Sequence, residues 1–397
     1  MNQLPITLIS PEERDLRLAS VRRQMRRQGI DAMIISDNAN LFYLTGRVFT
    51  GYAMIWADPD RRTMYFVRRP VGLSGEGVVY IRKPEEIPAH IPGTAGAGTL
   101  GVEMDCMSYS DCCRLTSIFP QAKAVNADAV MRQARAVKTP DQIRLARISG
   151  EKQTEAYSLI PSLFTPGMTD VDFQIAIEST LRRNGCLGIF RISGQSMEIF
   201  MGNVLAGDNA DCPTPYDFAM GGGGQHPSLP VGADGTVIRP GMSVMVDCNG
   251  NFTGYMTDMT RVFSCGTLPQ LAIDAHECSR EICRRLADMG REGVEAKALY
   301  NEAVETARKA GLEEYFMGHS QKAGFTGHGV GIEINELPVI APRSRDILTA
   351  GNIIALEPKF VIPGTGAVGI ENTYVVRPDG LPMECITNAP EEIISLD

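Results

Sequence analysis

Two aspartates in the second half of the chain lie within segments that are otherwise apolar. Asp247 follows the run Val-Met-Val at residues 244–246, and Asp258 lies in the middle of residues 255–263. Segments of this kind are typical of strands buried on both faces, where aspartate is depleted. A single such carboxylate fits the solvated face of a sheet, so these two gain weight only together with further acids of the same kind.

Two glutamates repeat the pattern in a later hairpin. Glu357 and Glu371 flank the turn Pro-Gly-Thr-Gly at residues 363–366 and are equidistant from Gly364. A hairpin centred on that glycine places the two glutamates opposite each other, where like charges repel. Buried like charges persist only with a compensating cation.

That compensating charge has two candidate sources. Lys359 and Arg261 can supply part of it, whereas a pair of divalent metal ions neutralises all four carboxylates. His328 adds an imidazole, and the glycines on either side of it let the backbone come close to a site. One imidazole with four carboxylates suits Mn, Co, Fe or Zn, with two ions about 3.5 to 4 Å apart.

The order Asp, Asp, His, Glu, Glu resembles that of the pita-bread metallohydrolases, which include prolidase, aminopeptidase P and methionine aminopeptidase. The separations of 11, 29 and 14 residues (247 to 258, 328 to 357 and 357 to 371) resemble those of bacterial prolidase-like members. An N-terminal stretch, Asn38 to Gly46, is similar to the family's Asn-x-x-Tyr-Leu-Thr-Gly, so the resemblance covers nearly the whole chain. The matching segments in the second half are Val246-Asp247, Gly254 to Arg261, Thr326 to Gly331, Leu356-Glu357-Pro358 and Ile370 to Thr373.

The resemblance implies a role for each of five residues. Asp247 would bind one ion, Asp258 and Glu371 would bridge two ions, and His328 with Glu357 would complete the second. Glu357 would also pass a proton from the attacking water to the leaving group. The implied cofactor is two divalent ions, with Mn first and Co, Zn or Fe as alternatives, and a metal-bound hydroxide that attacks an amide carbonyl. Relatives often form homodimers, so a homodimer is expected.

The chain departs from the family at two histidines that hold the scissile carbonyl and the leaving nitrogen in peptidases. One matching position is Asn335, whose amide donates a hydrogen bond but cannot deliver a proton. The other falls at residues 228–231, just after His226, which would take over the role through a small loop shift. The alternative for His226 is a loop histidine bonded to backbone. His319 is a further candidate to line the pocket.

Three functions therefore stay open. The first is a peptidase that acts on short Xaa-Pro peptides, which the complete ligand set favours. The second is a family member that acts on a small molecule, resembling ectoine hydrolase or dimethylsulfoniopropionate lyase. The departures at Asn335 and the Gly-rich residues 221–224 favour this second reading. The third is a non-catalytic binding module, which is least favoured because all five ligand positions are retained.

The pattern along the chain predicts two domains that position these residues. Residues 1–130 alternate helix and strand, typical of a small α/β domain, and the resemblance makes them a creatinase/prolidase-like N-terminal domain. Thr139-Pro140 then gives a cap and a first-turn proline to a long helix. Residues 131–397 combine helices with strand-rich stretches, which predicts an α+β domain. The resemblance makes it a pita-bread catalytic domain with a curved antiparallel sheet, and a long loop is predicted over residues 202–235.

Composition excludes several classes of partner. The chain has 397 residues, 38 Lys+Arg against 47 Asp+Glu, a formal charge of -9 and no run of like charge. Nucleic acid and anionic membranes are therefore not expected as partners. The N-terminus lacks an apolar signal segment and the ten cysteines lack framework spacing, so we expect a cytoplasmic protein with reduced thiols.

Overall fold

The computed structural model describes residues 4–91, 98–194 and 198–396. The chain forms two compact units, Met1–Arg135 and Ala136–Asp397. This division falls five residues after the boundary predicted at 130/131, and it keeps all but the last residue of the helix Asp128–Ala136 in the first unit. Among the described residues, no helix is both long and apolar enough to cross a lipid bilayer.

The first unit is built around a mixed sheet, as the alternation of helix and strand predicts. Its elements are β1 Leu4–Pro5, α1 Pro11–Arg27, β2 Ala32–Ile35, α2 Asn38–Thr45, β3 Thr50–Trp56, β4 Met64–Arg69, β5 Leu73–Ser74, β6 Val78–Tyr80, β7 Thr99–Val102, α3 Tyr109–Ser117, β8 Lys123–Asn126 and α4 Asp128–Ala136. Six strands pair in the order β6, β4, β3, β2, β7, β8. β2 pairs antiparallel with β3 and parallel with β7, which is typical of an α/β domain.

The stretch from Asn38 to Gly46, which resembles the family's N-terminal motif, forms helix α2 and the glycine that ends it. The Asp37 side chain accepts hydrogen bonds from the backbone N–H groups of Ala39 and Asn40 and so caps the start of α2. Gly46 ends the helix at φ 71°, in the left-handed region that glycine adopts without strain.

The described residues of the second unit combine four α-helices with mainly antiparallel strands. Its elements are α5 Pro140–Tyr157, α6 Asp170–Arg183, β9 Gly202–Ala206, β10 Ser243–Cys248, β11 Gly250–Asn251, β12 Met256–Thr257, β13 Thr260–Ser264, α7 Gln270–Met289, α8 Ala296–Lys309, β14 Gly327–Gly329, β15 Glu336–Ile340, β16 Ile353–Leu356, β17 Lys359–Ile362, β18 Gly366–Gly369, β19 Asn372–Val375, β20 Glu384–Cys385 and β21 Ile394–Ser395. One sheet has the order β21, β13, β10, β9 and another the order β15, β14, β16, β19, β20. The predicted α+β class is confirmed.

Helix α5 fixes the strands that carry the two aspartates. Thr139 and Gln142 form a reciprocal capping box at its start, as the Thr-Pro signal predicted. From its inner face the Gln153 side chain donates to the Cys248 carbonyl at 2.6 Å, and the Tyr157 hydroxyl donates to the Met259 carbonyl at 2.7 Å. Each acceptor is adjacent in sequence to one of the aspartates, so the helix fixes the backbone beside both.

The predicted long loop over residues 202–235 is wrong at its beginning. Residues 202–206 form β9, which pairs antiparallel with β10 and places Asn203 opposite Asp247. Val204, Leu205 and Ala206 are fully buried, so their apolar run belongs to the sheet. The Gly- and Pro-rich remainder of the segment is irregular apart from a short 3-10 turn at Gly207–Asp211.

Candidate metal centre

Asp247 lies in the four-stranded sheet, and Asp258 lies just before the strand that pairs with the strand of Asp247. Asp247 is in β10 opposite Thr260 of β13, and Asp258 occupies the short gap between β12 and β13. The gap is held by Thr373, whose hydroxyl accepts from the Asp258 N–H and donates to the Asp258 carbonyl, both at 2.8 Å. Asp258 is therefore positioned through its backbone, which leaves its carboxylate for the site.

The strand of His328 brings its imidazole to the same place. His328 lies in β14, between β15 and β16 of the five-stranded sheet. Its Nδ1 donates to the Gly329 carbonyl at 3.1 Å, which leaves Nε2 to face the carboxylates. Nε2 lies 3.3 Å from Glu357 Oε1 and 3.9 Å from Asp258 Oδ2.

The hairpin register predicted from Gly364 is confirmed. Lys359 pairs with Gly369 in the β17–β18 ladder, and Leu356 pairs with Asn372 in the β16–β19 ladder. Glu357 and Glu371 occupy corresponding positions between these two ladders, so they lie on opposite strands at the same level. Both are buried, at 4% and 1% exposure.

The Lys359 side chain lies among these carboxylates and has no exposed surface. Its Nζ donates to Asp247 Oδ2 at 2.7 Å, to Glu357 Oε2 at 2.9 Å and to Glu371 Oε2 at 3.2 Å. Lys359 follows Glu357 by two residues, so the two side chains leave the strand on the same face.

The donors divide into two groups that share Glu371. Asp258, His328 and Glu371 can bring one ligand atom each within 4.8 Å of one another, and we call this group the histidine position. Asp247, Glu357 and Glu371 do the same, and we call this group, which surrounds the Lys359 ammonium, the lysine position. The resemblance assigned Glu357 to the ion at His328, and the distances place Glu357 beside both positions.

Burial and mutual repulsion dominate the electrostatics of the carboxylates. Burial, followed by repulsion from Glu371, raises the pKa of Asp258 well above its usual range. Burial also raises the pKa of Glu371 to about 8, against the attraction of Lys359. Burial disfavours the Glu357 carboxylate as well, but Lys359 and His328 hold its pKa below the ordinary value.

The two cationic groups respond to the same excess of negative charge. Burial disfavours the imidazolium of His328, but the neighbouring Glu357 carboxylate raises the pKa to about 9. Burial likewise disfavours the Lys359 ammonium, and Asp247 and Glu371 nevertheless raise its pKa well above the usual range. For both cations, the attraction of the carboxylates therefore outweighs the cost of burying a positive charge.

Arg261, the other cation considered from the sequence, is used differently. Its guanidinium donates to the backbone carbonyls of Thr260, Glu371 and Ala389 and to the Asn372 side chain. It holds the backbone at the β19 edge, and its contact with Glu371 is to the backbone carbonyl rather than to the carboxylate. Thr260 contacts the carboxylate instead, because its hydroxyl donates to Glu371 Oε2 at 2.7 Å.

Comparison with protein families resolves the identity of this arrangement. Residues 144–378 match the model of metallopeptidase family M24, and residues 17–137 match the creatinase/prolidase N-terminal domain. The chain belongs to metallopeptidase family M24. Membership confirms the prediction of a metal-dependent, peptidase-type hydrolase with divalent metal as its cofactor.

Relatives and solved structures share the M24 architecture over the whole chain. The Xaa-Pro dipeptidase of Pyrococcus furiosus is 26% identical over 373 residues, which covers 92% of this chain and 96% of the relative. The structure of Xaa-Pro dipeptidase from Bacillus anthracis matches 96% of this chain and 99% of its own, with a TM-score of 0.78 and 23% identity. Aminopeptidase P from E. coli matches 96% and 97%, with a TM-score of 0.74 and 17% identity. The predicted two-domain pita-bread fold is confirmed.

The donor set fits the divalent metal that M24 membership implies. Carboxylate oxygens and one imidazole nitrogen are suitable ligands for Mn, Co, Fe or Zn. Glu357 Oε1 and Glu371 Oε1 are buried and accept no hydrogen bond of acceptable geometry, although His328 Nε2 lies 3.3 Å from the former. Buried carboxylate oxygens without a hydrogen-bond donor are uncommon in folded proteins, and these two are suitable ligands for a cation beside His328. The fit holds at the histidine position, whereas the lysine position already contains an ammonium.

Asn335 stands where M24 peptidases carry a histidine, but both ends of its amide are engaged. Its Oδ1 accepts from the Ser193 N–H and its Nδ2 donates to the Ser193 carbonyl, both at 2.8 Å. Asn335 thus holds the backbone at Ser193. The two residues are 142 positions apart, so the sequence contained no sign of this contact. Its predicted contact with a substrate carbonyl stays a prediction.

The other candidate histidines make their contacts away from the M24 carboxylates. His226 is exposed, and its Nδ1 accepts from the Ser228 backbone N–H at 3.1 Å, which is the loop contact considered as the alternative for it. His319 Nδ1 lies 3.1 Å from Asp211 Oδ2, and its ring stacks on Tyr315. The structure does not bring either imidazole into the cluster, and their catalytic roles stay predictions.

Two residues of the site were given no role from the sequence. Thr373 holds the Asp258 backbone and Thr260 holds Glu371, yet a threonine in a strand carries no distinguishing signal. Lys359 was considered only as partial compensation. The sequence did contain a signal for its role. Lys359 follows Glu357 by two residues, and side chains two apart in an extended chain point to the same side.

Proposed function

We propose that this M24 protein is a metal-dependent hydrolase that cleaves the amide bond before proline in short peptides. The observation that carries the proposal is the buried cluster of four carboxylates and His328 on a pita-bread fold. The naming of full-length relatives as Xaa-Pro dipeptidases supports the substrate class. In this proposal residues 131–397 are the catalytic domain.

The ligands proposed for divalent metal are the five residues of the two positions: Asp247, Asp258, His328, Glu357 and Glu371. Mn is the first candidate, with Co, Zn and Fe as alternatives, because the set is rich in oxygen and has one nitrogen. When bound, the metal polarises the substrate carbonyl and makes water more acidic. Thr260 and Thr373 hold Glu371 and the Asp258 backbone in place.

Glu357 is the proposed proton shuttle. Its Oε2 is held by the Lys359 ammonium, while its buried Oε1 accepts no hydrogen bond of acceptable geometry. The low pKa of Glu357 keeps it ionised, so Oε1 can take a proton from the attacking water and deliver it to the leaving nitrogen. The oxygen of that water adds to the carbonyl carbon to give a tetrahedral adduct. The adduct returns to a carboxyl group as the C–N bond breaks and the nitrogen leaves with the proton from Glu357.

The test is release of proline from Xaa-Pro dipeptides and from longer Xaa-Pro peptides by Mn-loaded protein. We expect turnover that disappears on chelation and returns on addition of Mn. Glu357→Gln should lower kcat by about 10² to 10⁴, the usual contribution of a general base. Glu384→Gln, which changes a surface carboxylate paired with Arg147, is the matched control and should be active. Full activity after chelation, or no release above a metal-only blank, contradicts the proposal.

A small-molecule amide is the second candidate substrate. The amide of Asn335 is occupied by Ser193 and His226 is exposed, so neither is arranged to handle the groups of a peptide bond. The variant His226→Ala tests the peptide candidate. If peptide turnover falls in this variant, His226 takes part in cleavage of peptides, and its loop must then approach the substrate. Metal-dependent cleavage of a small cyclic or N-acyl amide, without cleavage of any Xaa-Pro peptide, favours the second candidate.

The proposal includes a homodimer, in line with the expectation from the resemblance. The measurement is light scattering on the protein as it elutes from a size-exclusion column. The expected mass is twice 43.2 kDa. A mass of one chain at micromolar concentration contradicts this part of the proposal and leaves the hydrolase activity unaffected.

A further inference from the structure

Three carboxylates of the lysine position are arranged around an ammonium. The distances from Lys359 Nζ to Asp247, Glu357 and Glu371 are 2.7, 2.9 and 3.2 Å. These are lengths of charge-assisted N–H···O hydrogen bonds. Transition-metal ligands approach much closer, at about 2.0 to 2.2 Å for carboxylate oxygens on Zn. The oxygens thus surround a volume that the ammonium fills.

The histidine position lies on the other side of the same glutamates. Glu357 directs Oε2 to Lys359 and Oε1 to His328, and Glu371 accepts from Lys359 and Thr260 through Oε2. Each glutamate therefore has one oxygen engaged by the ammonium and one buried oxygen, Oε1, that accepts no hydrogen bond. Both unsatisfied oxygens remain available for one cation beside His328 and Asp258.

The local backbone holds Lys359 in this arrangement. Lys359 opens β17 opposite Gly369, and a Cβ added to Gly369 would lie 3.1 Å from the Lys359 Cα. The Lys359 carbonyl accepts from the Met317 N–H at 2.8 Å, so the strand is tied on that side as well. Because the side chain has no exposed surface, the ammonium would have to leave a buried position to make room for an ion.

We propose that Lys359 takes the place of the second cation, so that this M24 chain binds one divalent ion, at Asp258, His328 and Glu371. The inference rests on the proposed function and replaces the two-ion count expected from the resemblance. Four carboxylates carry four negative charges, and one ammonium with one divalent ion returns three positive charges. The chain's own lysine thus serves as a permanent cation in a site that is otherwise built for two ions.

The test counts Mn in purified, chelator-stripped protein reloaded with excess Mn and then dialysed. Elemental analysis should give one Mn per chain, and the Mn(II) electron paramagnetic resonance spectrum should show the hyperfine pattern of an isolated ion. Lys359→Met should raise the count from one to two, with the spectrum of an exchange-coupled pair. Two ions per wild-type chain overturn the inference while leaving the hydrolase proposal intact.

Variants of the ligands locate the single ion. Asp258→Asn and His328→Ala should each reduce the count to zero, whereas Asp247→Asn should retain one ion because Asp247 belongs to the lysine position. Loss of the ion in Asp247→Asn overturns the inference, and this variant decides the question if Lys359→Met does not fold. One ion in both wild type and folded Lys359→Met also overturns it.

Two controls separate the inference from the proposed function. The double variant Lys138→Met/Glu336→Gln removes another buried lysine together with its partner charge and should keep one ion. If neither wild type nor Lys359→Met binds Mn, Co or Zn, the proposed metal-dependent function fails together with the inference. If wild type binds two ions and hydrolyses substrate, only the inference fails.

Discussion

Lys138 and Lys359 are both buried in the second unit, but they face different numbers of carboxylates. Lys138 Nζ lies 2.9 Å from Glu336 Oε2, and Glu336 Oε1 accepts from the backbone N–H groups of Ile332 and Glu333. In that pair one positive charge meets one negative charge and both glutamate oxygens have donors. Lys359 instead meets three carboxylates, with a fourth close by, and leaves buried oxygens without donors.

The difference shows what separates a structural ion pair from a site. A neutral, fully hydrogen-bonded pair has no need of a further ion, and its removal as a pair is close to neutral for stability. A cluster with excess negative charge is stable only if another cation enters. Burial of a lysine therefore does not by itself indicate a metal site. An excess of negative charge around the lysine does.

The largest loss of activity is expected when a ligand of the proposed metal ion is removed. His328→Ala removes the only imidazole of the cluster, and several kcal/mol of transition-state stabilisation depend on the ion, so turnover should fall by about 10³-fold or more. Circular dichroism should show the fold retained. Activity within tenfold of wild type, in metal-controlled buffer, would show that the histidine position is not where the reaction occurs.

Lys359→Met tests the other side of the cluster through stability. Without metal, the variant leaves carboxylates unpaired and should lose about 3 to 5 kcal/mol of unfolding free energy, as buried charges do when a partner is removed. Added Mn should restore most of this loss by binding the folded state. Denaturant unfolding with and without Mn is the measurement. If Mn does not reverse the loss of stability, a metal ion cannot take the place of the Lys359 ammonium, and the inference is contradicted.

Glu336→Gln gives the matched result for the structural pair. It leaves the Lys138 ammonium buried without its charge partner and should cost about 3 kcal/mol of unfolding free energy. Mn should not reverse this cost, because among the described residues Glu336 belongs to neither of the groups that could hold a metal ion. Rescue by Mn would remove the distinction between the two lysines. The double variant with Lys138→Met should recover most of the stability.

The smallest effect is expected at the helix start beside Lys138. Thr139→Ala removes the side-chain half of the capping box on α5 and should cost about 1 kcal/mol of unfolding free energy. The loss should be the same with and without Mn. A loss of several kcal/mol would show that the surroundings of Lys138 depend on the cap rather than on the ion pair.

Local signals were sufficient for the start of α5 and for the spacing of the site, although they missed the strand β9. Thr139-Pro140 predicted the start of α5, and the symmetry about Gly364 predicted the register that brings Glu357 and Glu371 together. Both depend on residues close in sequence. Asp247, Asp258 and His328 were predicted from their types in apolar strands and from the family resemblance, and the structure brings all of them into one cluster.

Contacts between distant segments were beyond the reach of the sequence. Asn335 is held by Ser193, 142 residues away, and this contact follows only from the packing of the second unit. The same holds for the choice between Lys359 and Arg261 as the cation of the cluster. Both lie in strands next to the carboxylates, and only the tertiary structure directs one inward and gives the other to backbone carbonyls.

The most direct test is anomalous diffraction from crystals of the Mn-loaded protein, recorded at the Mn absorption edge. We predict one anomalous peak per chain, between Asp258, His328 and Glu371, with the Lys359 ammonium among Asp247, Glu357 and Glu371. Two peaks, with the Lys359 side chain displaced from the cluster, would contradict the single-ion account.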